Sequence, residues 1–260
     1  RQATLLHVAW NGSLGIERDT GLLFGRATGR VEHEIYGDAE LSSGGTVSQK
    51  DRDNTYASIT LRGGFAISPA LKPFAEVELG KRIFDERIDS NGYERSGSQY
   101  AVRGGLMFDR GEKFNGEFSA GFMRANSDDS RLSDVSGPSL AAAINWSPLR
   151  GTDVQLYAQT MVDTSTTPGI SGALLHFASL EVTRRVRSDL SLNGKLDLNV
   201  RDNKDGTGTD YTIGAQVGAT YWINRFVGID ARLRHEFQTS QISDREYHAN
   251  SVYVGMKVQR

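Results

Sequence analysis

The chain contains no cysteine and only 5 prolines in 260 residues. The first absence removes disulfide frameworks, thiolate nucleophiles and Cys-ligated zinc or iron–sulfur sites together. Neither sign of charge is in surplus, with 30 Lys+Arg against 32 Asp+Glu and a formal net charge of −2. A general nucleic-acid binder carries a basic excess instead, so none is expected as a partner. No uninterrupted apolar run approaches the roughly 18–20 residues of a membrane helix. Hydrophobic residues amount to only 38%. These absences alone describe an ordinary soluble protein. The arrangement of the residues that are present describes another class.

Apolar residues alternate with polar ones over long stretches. In Asp189–Arg201, Leu190, Leu192, Gly194, Leu196, Leu198 and Val200 fall on one face, and Ser191, Asn193, Lys195, Asp197, Asn199 and Arg201 on the other. Strand side chains point to opposite faces at period 2, so this is a strand with one oily and one wet side; a helix would scatter the leucines around its circumference. Val227, Ile229, Ala231, Leu233 and Phe237 repeat the pattern, as do Val154, Leu156, Ala158, Thr160 and Val162.

Length separates the two kinds of sheet that alternate. Strands of soluble proteins run about 5–6 residues, whereas a tilted membrane strand needs about 9–11. Many segments here reach the longer range and carry full charges in mid-strand. A membrane barrel turns its apolar face outward and its polar face to the lumen. The fold class expected is therefore all-β: a transmembrane antiparallel up-and-down β-barrel of about 12–14 strands, occupying 1–260 as a single outer-membrane domain.

The strands expected are Thr4–Glu17, Leu22–Tyr36, Thr55–Ile67, Pro73–Phe84, Gln99–Phe108, Phe114–Ala125, Ser139–Trp146, Val154–Val162, Ala173–Thr183, Leu190–Arg201, Tyr211–Tyr221, Val227–Gln238 and Ser251–Gln259. Short connections alternate with long ones. The long ones, Asp38–Asn54, Asp85–Ser98, Asn126–Gly137, Asp163–Gly172, Asp202–Thr209 and Thr239–His248, are rich in Ser, Asp, Asn, Gly and Thr. Thirteen segments is an odd count, whereas bacterial single-chain barrels have even numbers. Twelve or fourteen strands are expected, with a first strand or a signal peptide preceding Arg1 as one explanation.

Aromatic residues stand near strand ends: Tyr100 with Phe108, Tyr211 with Tyr221, and Trp146 beside Ser147-Pro148. Such positions suit the girdles at the two membrane interfaces. Outer-membrane barrels also tend to finish with a polar or aromatic residue, a glycine two positions on, and apolar or aromatic residues towards the terminus. Tyr253, Gly255 and Val258 occupy those places, but Arg260 stands where an aromatic is usual.

Asp51-Arg52-Asp53, Ile67-Ser68-Pro69, Arg82-Ile83-Phe84-Asp85, Gly104-Gly105-Leu106, Gly116-Glu117 with Gly121-Phe122, Ser136-Gly137-Pro138 and Asn145-Trp146-Ser147-Pro148 follow one another in a distinctive order. In these motifs the sequence resembles the putative β-barrel porin 2 family of Gram-negative outer-membrane proteins, from about Asp51 onward. The resemblance implies a place in the outer membrane. It also implies an association with exopolysaccharide secretion, in which the barrel provides the passage.

Strand parity assigns the candidate lumen-lining residues. The first half of the chain supplies Arg26, Arg30, Glu32, Arg62, Glu76, Glu78, Arg82, Arg103 and Glu117, with Glu34 beside them. The second half supplies Glu181, Lys195, Asp197, Arg201, Asp230, Arg232, Arg234 and Glu236, with Lys257. Arginine presents a planar fork that pairs with carboxylates on neighbouring strands. Two readings follow: a charged conduit touching an anionic or hydroxyl-rich solute, and an internal salt-bridge lattice that stiffens a narrow barrel. They can coexist. Tyr36, Tyr56 and Tyr157 share that face and suit either sugar stacking or packing.

Hydrolysis normally needs a positioned base, most often histidine. Parity turns His33, His176 and His235 to the lipid side, and only His248, beside Asp244-Arg245-Glu246-Tyr247, invites attention. Asp51-Arg52-Asp53-Asn54 lacks the glycine and terminal acid of a calcium loop and reads better as a solvated loop. The expectation is a passive channel or secretion component of the bacterial outer membrane, for exopolysaccharide export. It is not an enzyme and needs no cofactor or metal. Its expected partners are outer-membrane lipid and lipopolysaccharide, the barrel assembly machinery, and polysaccharide with periplasmic export proteins. The rival reading is a scaffold barrel with a blocked lumen, acting through loops or a partner.

Overall fold

The computed structural model describes residues 3–4, 6–41, 44–204, 208–241 and 245–259. Parts of the Asp202–Thr209 and Thr239–His248 loops, including Asp244, and the final Arg260 lie outside them. Thirteen long strands form one antiparallel sheet in chain order: β1 His7–Asp19, β2 Leu23–Tyr36, β3 Asn54–Phe65, β4 Leu71–Phe84, β5 Gly97–Asp109, β6 Phe114–Ser127, β7 Val135–Leu149, β8 Thr152–Thr164, β9 Gly172–Arg185, β10 Leu190–Asn203, β11 Gly208–Trp222, β12 Val227–Thr239 and β13 Tyr247–Val258. Ala3–Thr4, Ala39–Leu41 and Thr46–Val47 make a small separate sheet.

Among the described residues the sheet has thirteen strands, within the expected range of about 12–14 though at its odd value. With an odd number of antiparallel neighbours the two outermost strands run the same way, and β1 and β13 are exposed along almost their whole length. Strand lengths lie between 12 and 15 residues, beyond the about 9–11 needed to span a membrane.

Burial is inverted relative to a soluble sheet. Leu196 is 55% exposed while its neighbour Asp197 is 6% exposed. Glu76 and Asp230 are buried, and Leu14, Ile59, Leu79, Leu233 and Val254 stand outside. Alternation thus sends leucine and valine to an outer apolar surface and carboxylates inward, as a lipid-facing barrel requires. Tyr100, Tyr211, Tyr221 and Trp146 are exposed near strand ends.

Short turns gather at one end. Two of them share one device: the Asp19 carboxylate accepts the Gly21 N–H at 2.7 Å, and that of Asp109 accepts the Gly111 N–H at 2.8 Å. Both glycines have positive φ, +86° and +69°, which a residue with a Cβ adopts only at a cost. Longer connections, including 37–53, 85–96, 128–134 and 165–171, join the strands at the other end, called the loop end below.

The sheet departs from plain alternation there. Ser136-Gly137-Pro138 is strand, not loop, and β7 pairs with β6 up to Val135 opposite Ala125. Pairing of β7 with β8, however, stops at Ala141 opposite Gln159, while β8 continues alongside β9 to Thr164. Pro138 has no N–H to give a ladder on the vacated side, and proline is accepted in strands chiefly at such edges. The freed ends of β8 and β9 lie against the inner face of β5–β7. Leu174, fully buried, packs with Ala101, Met123 and Val135, with Val162 beside it. Val162 stands on the face that alternation assigns to lipid, and this packing corrects that expectation; His176, on the same face, bonds Thr160 Oγ1 at 2.9 Å. Parity fixes which side of a strand a residue occupies, but not what the strand is folded against.

Candidate functional site

Inward side chains of β3–β6 are tied into a continuous ion-pair network, with separate pairs beside it on β1, β2 and β4. Arg62 donates to Glu76 at 2.7 Å and, through both terminal nitrogens, to Glu117 at 2.7 and 3.0 Å. Arg103 donates to Glu76 at 3.0 and 2.7 Å, to Glu78 at 2.7 Å and to Ser139 at 3.1 Å. The Tyr56 hydroxyl completes Glu78 at 2.9 Å. Arg82 reaches Asn54, whose amide donates to Glu34 at 3.2 Å. Nearer the edge, Arg26 pairs with Glu17 at 2.5 Å and Arg30 with Glu32 at 2.6 Å.

Aromatic rings form a layer beneath these cations. Arg62 lies over Phe74 at 4.2 Å and Arg82 over Tyr56 at 4.8 Å. Tyr56 itself lies across Gly80, where a Cβ would come within 2.7 Å of the ring. Glycine there lets the ring lie flat on the neighbouring strand and brings the guanidinium over its face, a favourable cation–π geometry.

A second network occupies β10–β13. Arg234 binds Asp197 in bidentate fashion at 2.6 and 2.8 Å and Glu236 at 2.6 Å, and Tyr247 donates to Glu236 at 2.6 Å. Asp230 collects Arg232 at 2.5 Å, Thr220 at 2.7 Å and Lys257 at 3.0 Å. Arg201 meets Asp163 of β8 and Asn203. Glu181 and Lys195 stand opposite each other in register.

Between the networks the inward positions of β7–β9 are uncharged over their middle: Ala141, Ala143, Asn145, Gln155, Tyr157, Gln159, Phe177 and Ser179. Tyr157 donates to Gln159 and tilts against Phe177 at 6.0 Å. A cavity of about 710 Å³ is lined by Arg30, Glu32, Arg103 and Glu117 on one side and Ala141, Ala143, Tyr157 and Gln159 on the other. The sheet therefore curls until the charged and uncharged walls look at one space. Among the strip residues, alternation puts Gln159 on the polar face without marking it as a lumen candidate, and Phe177 and Asn145 were missed, because single amides and rings on an alternating strand carry no signal of their own.

The remaining candidates have structural duties. The Asp53 carboxylate accepts the Tyr36 N–H at 2.7 Å and Asp51 accepts the Ser90 N–H at 3.0 Å, so this pair docks one loop on its neighbours. His33 bonds Thr55 at 2.9 Å beside Trp10, and His235 bonds Asn250 at 2.8 Å. His248 stacks on His235 and Phe237 at 6.2 and 6.3 Å. His7 stacks on Tyr36 at 4.3 Å, near Glu34.

A family model described as putative beta-barrel porin 2 matches residues 2–260. No curated protein matches the chain. Similar solved structures include the FrpB iron transporter from Neisseria meningitidis, at 11% identity and a TM-score of 0.49, covering 91% of this chain and 45% of that one. The CymD monoaromatic hydrocarbon channel has 12% identity and a TM-score of 0.37, over 98% and 88% of the two chains. The toluene transporter TodX from Pseudomonas putida has 11% identity and a TM-score of 0.30, over 98% and 89%. The chain thus spans under half the length of FrpB.

Proposed function

The chain belongs to the putative β-barrel porin 2 family, and from that premise we propose a passive passage for hydrophilic solutes across a bacterial outer membrane. The observation that carries this reading is the uncharged strip of Ala141, Ala143, Tyr157 and Gln159 facing Arg103 and Glu117 across one cavity, with Phe177 packed behind Tyr157. The arginines of both networks are held by carboxylates, so they shape and polarise the lumen more than they capture ions. Amide and aromatic groups are left as the surface open to a solute. Such groups suit hydroxyl-rich molecules, whose ring faces stack on aromatics and whose hydroxyls pair with amides. Carbohydrate is accordingly the solute class we favour, and polysaccharide export is its most demanding form.

Planar-bilayer conductance with and without added oligosaccharide tests this. The expected result is a stepwise ionic current that oligosaccharide reduces in a concentration-dependent way. Absence of any current would sink the passage, and current indifferent to sugars would sink the solute class. Surface polysaccharide unchanged after gene deletion would remove the export role.

A second reading, a scaffold with a blocked lumen, draws on the β8–β9 ends packed inside the barrel against Ala101, Met123 and Val135. Zero conductance together with normal insertion would favour it.

A further inference from the structure

The inward fold of β8 and β9 is fastened from above by one side chain. Arg95, in the 85–96 connection, is only 3% exposed and pairs at 2.7 Å with Asp89, itself 1% exposed. Its other nitrogens donate to the carbonyls of Ser165, Thr167 and Ile170, all in the β8–β9 loop. One guanidinium therefore joins the loop of β4–β5 to the loop of β8–β9, across the ends of the two intervening strands, β6 and β7. Asn91 adds a bond to the Thr166 carbonyl at 3.3 Å.

Beneath this fastening the hairpin is held to the wall by side chains and not by a backbone ladder. No ladder connects β7 to β8 above Ala141 and Gln159. Just above that pair the Leu140 N–H is taken by Thr160 Oγ1 at 2.9 Å, a single side-chain bond at the point where the ladder ends. Gly137 leaves the notch in which Leu174 lies. Leu174 and Val162, moreover, are on the face that lower down meets lipid. Moving them from this small apolar core to hydrocarbon exchanges one apolar environment for another, so the hydrophobic effect does little to oppose it.

We propose that the loop-end half of the β8–β9 hairpin is a hinged constriction, turning at Ala141/Gln159 and latched inward by Arg95. Released, it swings out to lie beside β7 and widens the lumen at the loop end. Held, it narrows the path over the uncharged strip. The inference rests on the passage reading for its purpose, but not for its existence.

The experiment uses the whole chain, which has no native cysteine to interfere. Spin labels at Ser136→Cys and Thr166→Cys report the hairpin tip against the wall. With Arg95 intact a single distance population is expected, and Arg95→Gln should add a second, shifted one. In bilayers Arg95→Gln should raise conductance by about twofold or more, since a constriction dominates pore resistance. An Asn91→Cys/Thr166→Cys disulfide should remove the larger conductance when oxidised, and reductant should restore it. Identical distance populations with and without Arg95 would overturn the hinge, as would conductance unchanged between oxidised and reduced forms of a conducting channel. No current in any variant would instead defeat the passage reading, and the label distances would still decide the hinge.

Discussion

Leu174 lies where the side chain of any residue other than glycine at position 137 would have to be: a Cβ on Gly137 would stand 2.6 Å from its Cδ1. These two residues belong to β7 and β9, which are not neighbours in the sheet, and their contact records the inward fold of the hairpin. Gly137→Val should therefore force the hairpin off the wall. Overpacking costs about 1–3 kcal/mol, and the expected readout is faster protease cleavage within 165–171 in the folded, detergent-solubilised barrel. Unchanged cleavage would mean that the notch is not needed.

Leu174→Ala attacks the same contact from the other side. Removing a fully buried leucine from a core costs about 2–5 kcal/mol. Because this core holds only one hairpin, loosening should be local. Heat-modified gel mobility should stay near that of the unsubstituted chain while cleavage in 165–171 rises. A large fall in the global unfolding temperature would show that the core supports the whole barrel.

Arg103 sits between Glu76 and Glu78 at 11% side-chain exposure. Arg103→Ala leaves both acids short of a counter-charge, a loss of about 3 kcal/mol by analogy with broken buried pairs. Exposed Arg26, paired with Glu17, should cost about 1 kcal/mol or less when replaced by alanine. Urea unfolding of the two variants in detergent or bilayer compares them. Equal destabilisation would deny the inner network any special weight.

Charge placed on the uncharged strip should change selectivity without breaking the networks. Gln159→Lys adds a cation facing the Arg103 side of the cavity. The reversal potential in a salt gradient should move toward anion preference, as charged side chains lining a pore dictate. No movement would put Gln159 outside the conduction path.

Acid should loosen the latch, and neutral pH should not. Burial acts to raise the pKa of Asp89, but the Tyr93 backbone N–H, the Arg95 guanidinium and the Asn91 N–H outweigh it and hold the carboxyl below its ordinary range. A carboxylate depressed on folding contributes stability above its unfolded value, about 3.9, and loses it as pH falls through the folded value. Nearby Asp129, held down by Arg131, has the same sign, and Asp51, Arg87, Glu94, Tyr93 and Arg131 also stand in this loop cluster. Spin-label distances should be constant from about pH 7 to 5 and shift only below about 4. Asp89→Asn should give the shifted population already at neutral pH. Loosening between pH 7 and 5 would point to another group.

Much of this molecule could be read directly along the chain. Period-2 alternation such as Leu196-Asp197-Leu198 dictates both the strand and its two faces, because successive side chains in a pleat must point opposite ways. Segment length and charge in mid-strand follow from local chemistry too, and with them the barrel class. Pairing of each inward arginine was legible only in outline: parity puts Arg62 and Glu76 on one face, but register decides that they meet. The inward hairpin was not legible at all. Ser136-Gly137-Pro138 reads as loop because proline and glycine usually end strands, and Val162 reads as lipid-facing because alternation carries no information about what a strand folds against. Those outcomes depend on contacts between distant segments, Arg95 with Ser165 and Leu174 with Gly137, whose energies exist only once the sheet has curled. Sequence alone determined which face of each strand is apolar; the tertiary structure decided where that face is buried in protein instead of exposed to lipid.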